Sequence, residues 1–212
     1  MTRIQNLNRR HLLAGLGALA TLPLLQGCFP VVAGGATAAA MMVSDRRTSG
    51  AYVEDEGIEW RTRNRINERY GNMVNVSVTS FNRNVLLTGQ VPDEATRAEV
   101  GRIAGAVDNV RGIINELQIA GISSLTSRSN DAVITSKVRA RFIDNSVPGS
   151  THVKVVTESG TVFLMGVVTQ REAHAATEVA RTTAGVQKVV RVFEYVSDEE
   201  AARLDRQPRQ DN

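Results

Sequence analysis

Along Val74, Val76 and Val78, and again along Val153 and Val155, apolar positions alternate with polar ones. This is the period-two pattern of strands with one face buried. Short polar breaks follow, Asn82-Arg83-Asn84 and Glu158-Ser159-Gly160, and then second apolar runs, Val85–Val91 and Val162–Val168, so each pair reads as a hairpin. Ahead of the hairpins the period changes. Ile58, Thr62, Ile66 and Tyr70 recur at every fourth position, as do Ile134, Val138 and Phe142, which predicts amphipathic helices. Behind the hairpins a second helix is signalled in each case. Thr169-Gln170-Arg171-Glu172 has the spacing of a capping box, and Pro92-Asp93-Glu94 puts proline and acids where a first helical turn accepts them. Final strands are predicted at Ile113–Ile119 and Val189–Val196. The expected fold is α+β: two tandem α-β-β-α-β modules, each a three-stranded sheet covered by two helices.

The modules are copies of one unit. Val85-Leu86-Leu87-Thr88-Gly89-Gln90-Val91 matches Val162-Phe163-Leu164-Met165-Gly166-Val167-Val168, and Ala106-Val107-Asp108-Asn109-Val110 matches Gly185-Val186-Gln187-Lys188-Val189. The spacing is too long for a solenoid repeat and fits a duplicated small domain. Gly89 and Gly166 fall at equivalent strand positions, where a missing side chain allows a strand bend or close approach. The first module is placed at 55–120 and the second at 130–197, with a Ser-rich hinge between them and a polar tail over 198–212. The run 162–168 is apolar on both faces, which fits a contact with a domain or partner and also a central strand; the central strand is the simpler expectation.

The chain begins differently. Arg3, Arg9 and Arg10 precede an apolar run from Leu12 to Leu25, the layout of an export signal. The run is too short for a spanning helix, which takes roughly 20 residues. Leu25-Gln26-Gly27-Cys28 resembles the bacterial lipobox, so residues 1–27 are expected to be a lipoprotein signal peptide and Cys28 the lipidated residue. Phe29, rather than aspartate, follows the cysteine, and the resemblance then implies sorting to the outer membrane. Asn8-Arg9-Arg10-His11-Leu12-Leu13 has the form of a weak twin-arginine signal, so both export routes stay open. Residues 28–54 are expected to be the lipid anchor and a flexible tether, whose reach as a coil would be roughly 30 Å.

Charge and composition narrow the function. Lys+Arg total 25 against 22 Asp+Glu, but three of the arginines lie in the export signal, leaving 22 of each sign downstream. Bulk charge therefore gives no case for nucleic acid as a partner. With one cysteine the chain builds neither a disulfide framework nor a multi-cysteine metal site. His152 and His174 lack metal-ligand spacing, the adjacent acids Asp93-Glu94 and Glu199-Glu200 do not converge, and no nucleophile motif occurs. No enzyme, cofactor or metal is expected.

The strand-glycine signature Val-x-Leu-x-Gly, then a helix, then Gly/Ala-Val-x-x-Val, twice over, resembles the BON domain family. With the lipobox, Asp45-Arg46-Arg47-Thr48 and Asn130-Asp131…Thr135-x-Lys137-Val138-Arg139, the chain is similar to the family's dual-domain outer-membrane lipoproteins. The resemblance implies a non-catalytic, periplasm-facing protein that binds anionic phospholipid through its second domain and supports envelope integrity. The expected contact residues are Val133, Lys137, Arg139 and Arg141, an apolar tip beside cations on the helix around Ile134, Val138 and Phe142. Each basic group near an anionic surface contributes about 1 kcal/mol. On residues alone the same pattern also describes a solvated helix face; the resemblance decides for lipid. The alternative partner is an envelope protein of outer-membrane assembly or cell-wall remodelling. Oligomeric state is left open.

Overall fold

The computed structural model describes residues 46–147 and 149–206, so the export signal, Cys28 and the lipid anchor lie outside the described residues. The first module runs α1 (Ser49–Tyr70), a 3₁₀ turn, β1 (Asn75–Phe81), β2 (Asn84–Val91), α2 (Glu94–Gly105), β3 (Gly112–Asn115) and β4 (Gln118–Ile119). The second runs α3 (Leu125–Asp144), a 3₁₀ turn, β5 (Val153–Glu158), β6 (Thr161–Val168), α4 (Gln170–Arg181) and β7 (Lys188–Tyr195). A last helix, α5 (Asp198–Arg206), follows. The α-β-β-α-β order is present twice.

Both sheets are mixed. β1 pairs antiparallel with β2, and β5 with β6; the crossover helices α2 and α4 then return the chain so that β3 and β7 lie parallel to the central strands. In both hairpins the two turn residues have positive φ, Asn82 and Arg83 in one, Ser159 and Gly160 in the other. That geometry matches the strand twist across a two-residue turn. A buried aspartate holds each turn. Asp55 accepts hydrogen bonds from the Asn82 and Arg83 amides, and Asp131 from those of Ser159 and Gly160. The capping box at Thr169 and Glu172 forms, and Asp93 caps α2. The predicted strand Ile113–Ile119 is interrupted, because the Leu117 amide turns to the Asn115 side chain while Asn115 also donates to the Arg97 carbonyl.

Each helix pair covers one face of its own sheet. Ile58, Ile66, Val100 and Ala104 pack on Val78, Val85 and Leu87; Ile134, Val138, Phe142 and Ala176 pack on Val155, Val162 and Leu164. The opposite faces of the two sheets pack on each other. Phe81 and Leu86 from the first module meet Phe163, Met165 and Val167 from the second. The two-sided apolarity of 162–168 therefore has two causes: β6 is central in its sheet, and its outer face is the contact between modules.

A buried polar site joins the two modules at Gln90 and Glu158. The Gln90 side chain accepts from Asn75 and from the Ser123 amide, and donates to Glu158 at 2.6 Å. Burial pushes the Glu158 carboxyl above the ordinary glutamate range, with Gln90 opposing, Asp131 adding and Arg128 opposing. A raised native pKa means that the folded protein favours the protonated form, so this residue's contribution declines as pH rises past its native pKa. Glu158→Gln, which keeps an acceptor for Gln90, is expected to melt higher than the parent at pH 7. The gap should close as the pH is lowered toward 4; equal melting temperatures at pH 7 would contradict the assignment.

Three boundaries differ from the sequence reading. The tether assigned to 28–54 ends sooner: Thr48 caps α1 by accepting from the Ala51 amide, and Arg46 and Arg47 are buried. The hinge is also shorter, because Ser124 caps α3 and helix begins at Leu125. The tail assigned to 198–212 is helical over Asp198–Arg206, since Ala201 is buried and Leu204 packs on the inter-sheet core. Among the described residues, no helix is long and apolar enough to cross a membrane.

Candidate functional site

Helix α3 buries Asp131, Ile134, Val138 and Phe142 and turns its other side to solvent. That outer side carries exposed apolar residues: Leu125 at 75%, Val133 at 49% and Ile143 at 76% exposure. Exposed Ala132, Ser136 and Ala140 lie between them and make the surface shallow. Ala132, Val133, Ser136, Lys137 and Ala140 line one depression on this side. Leu125 and Ile143 lie outside this depression, toward the two ends of the helix. Exposed Ile119 and Ile122 precede the helix.

The four residues singled out in the sequence are not all in one place. Val133 and Lys137 meet in the depression. Arg139 is exposed, with Nη2 donating to the Val155 carbonyl at 3.2 Å. Arg141 points elsewhere: its Nη1 donates to the Val179 carbonyl and to the hydroxyls of Thr182 and Thr183, at the C-terminal end of α4. A cation there satisfies terminal carbonyls and the helix dipole, so the structure gives Arg141 a role in joining α3 to α4. Lys154 on β5 donates instead to Glu59 of the first module at 3.2 Å.

Sequence reasoning placed Ala140 in the same sector as Val133 and Lys137 but missed Leu125 and Ile143. Their signal was available: on a helix they fall on the side opposite the Ile134-Val138-Phe142 stripe, where apolar residues are not needed for the core. The matching outer side of α1 exposes Val53 and Trp60, the latter at 63%. No group of His, Cys, Asp or Glu able to hold a metal ion occurs among the described residues. Neither histidine lies in the depression on α3.

A duplicated α-β-β-α-β unit, with two helices on one sheet face and a hairpin held by a buried aspartate in both copies, defines a small α+β module. The BON domain signature matches residues 55–121 and 130–197, and the chain belongs to that family. It is 37% identical over 175 residues to the outer membrane lipoprotein DolP of Haemophilus influenzae, a match covering 81% of this chain and 90% of that protein. It is also 34% identical over 154 residues to a 21 kDa hemolysin of Actinobacillus pleuropneumoniae, covering 72% of this chain and 79% of the relative. To the osmotically-inducible protein Y of Escherichia coli it is 30% identical over 117 residues, covering 54% and 58% of the two chains.

Proposed function

We propose that this protein is an outer-membrane lipoprotein, anchored through Cys28 and facing the periplasm, whose second BON domain binds anionic phospholipid and thereby supports envelope integrity. The exposed apolar side of α3, with Leu125, Val133 and Ile143 beside the cations Lys137 and Arg139, carries this reading. An anionic interface attracts the basic groups and accepts the apolar residues between them. The likeness to an outer membrane lipoprotein over most of the chain supports the location. Two or more acyl chains on the cysteine would make attachment stable, where one chain is marginal.

The test is cosedimentation with vesicles containing anionic phospholipid. Lys137→Gln with Arg139→Gln removes two basic groups and is expected to weaken binding by about thirtyfold, at roughly 1 kcal/mol per group. Ile143→Asp should weaken it further, and neutral vesicles should bind the parent poorly. Arg141→Gln is expected to lower the melting temperature while leaving vesicle affinity close to that of the parent. Unchanged cosedimentation of the double variant would refute the lipid reading.

One observation favours a second reading, a lipid-anchored adaptor for an envelope protein. Trp60, the chain's one tryptophan, is exposed on α1 beside Val53, and tryptophan is enriched among the residues that dominate protein interfaces. Crosslinking in intact cells that captures one stoichiometric partner, lost on Trp60→Ala and insensitive to the α3 charges, would support the adaptor.

A further inference from the structure

Two adjacent arginines at the end of the tether point into different parts of the molecule. Arg46 uses all five of its N–H donors. Nη1 and Nη2 reach Glu172 at 2.7 and 3.0 Å, Nε and Nη2 reach Asp205 at 2.8 and 2.9 Å, and Nη1 also donates to the Val167 carbonyl. Glu172 opens α4 and is already part of its capping box; Asp205 belongs to α5. Arg47 goes the other way. Its Nη1 donates to Asp55 at 2.7 Å in the first module, and its guanidinium lies 4.1 Å from the centre of the Phe81 ring and 5.0 Å from that of Tyr52. Both arginine side chains are almost fully buried, at 3% and 6% exposure.

Buried ion pairs add little net stability, because desolvation offsets the attraction; their best-attested use is to select one arrangement over others. Here the partners belong to three pieces of structure that are distant in the chain. Phe81 and Leu204 both sit in the inter-sheet core, next to Arg47 and Asp205 respectively. We propose that Arg46 and Arg47 form a latch that holds the two modules and α5 in one arrangement and keeps the inter-sheet core closed. Opening the latch releases α5 first. Leu204 then leaves the core, and the apolar outer face of β6 gains access to solvent. This inference rests on the fold alone and is independent of lipid binding.

The experiment uses the full chain in detergent micelles and two readouts. Hydrogen exchange over residues 198–206 reports α5, and a zero-length carbodiimide crosslink between Glu59 and Lys154 reports module docking. For Arg46→Ala, exchange in α5 should be about tenfold faster and the crosslink yield should fall by about half or more, with slow exchange retained in β2 and β6. Asp205→Asn weakens the α5 arm while leaving Glu172 on Arg46, and should speed α5 exchange with little change in the crosslink. It also carries the test of the α5 arm if Arg46→Ala does not fold, and Arg46→Lys, which keeps charge but loses both forks, then carries the docking test. Parent-like α5 exchange and crosslinking in the folded arginine variants would overturn the latch.

Discussion

Asp55→Ala is expected to cost about 3–5 kcal/mol, the range for removing one partner of a buried charge pair. Four groups lose their acceptor at once: the Arg47 guanidinium, the Ser80 hydroxyl, and the amides of Asn82 and Arg83. Arg47 is then left charged between Tyr52 and Phe81 with that carboxylate gone. For a folded body of this size the melting temperature should drop by roughly 10 °C. The equivalent residue of the second module provides the comparison. Asp131 holds its turn through the Ser159 and Gly160 amides, with no arginine hydrogen bond on it among the described residues. Asp131→Ala should therefore cost less, about 1–3 kcal/mol. Combining Asp55→Ala with Arg47→Met should recover part of the loss, since the buried charge goes too. Equal losses for Asp55→Ala and Asp131→Ala, with no recovery in the double variant, would rule out the broken Arg47–Asp55 pair as the cause.

The second large effect is expected at Gly89. Its φ is +113°, where side-chain-bearing residues are rarely found, and a methyl group there would run into the backbone carbonyl oxygen of Asn75. Both obstacles are backbone, so no neighbouring side chain can move aside. Gly166 occupies the same place in the second hairpin, opposite Val153, and a methyl group there would meet the His152 carbonyl oxygen, but its φ is not positive. Gly89→Ala combines conformational strain with collision and should cost about 3–4 kcal/mol; Gly166→Ala has collision alone and should cost about 1–3 kcal/mol. Urea unfolding with an unchanged m-value is the measurement. A Gly166 loss as large as that at Gly89 would show that the backbone angle contributes nothing.

The element order was legible because its signals are local. The alternating valines, the four-residue spacing of Ile58-Thr62-Ile66, the polar turns and the Thr169–Glu172 box each declare themselves within a few residues. The matched glycines were legible for the same reason, being equivalent points of a duplicated strand. The latch was not. Arg46 and Arg47 stand in a polar stretch, and the partners that bury Arg46 are Glu172 and Asp205, more than a hundred residues away. The outer face of β6 was ambiguous, since a central strand and a docked one share the same apolar pattern. Helix α5 had a signal that was passed over: Ser197-Asp198-Glu199-Glu200 has the spacing of a capping box, and the Ser197 hydroxyl does accept from the Glu200 amide. For the proposed lipid face, Val133 and Lys137 were within reach of periodicity. That Arg141 turns toward α4 depends on tertiary packing, which spacing along one helix does not encode.

The sheet-to-sheet contact bears on how the protein can be dissected. Phe163, Met165 and Val167 are covered by Phe81 and Leu86 of the neighbouring copy. Expressed by itself, either half would carry a naked greasy plane on the side away from its helices, together with open strand edges. Such a fragment should self-associate rather than behave as a well-mannered monomer. Gene fragments that split the two copies would then report on sticky artefacts, and the smallest unit worth purifying begins before Arg46 and ends after Asp205.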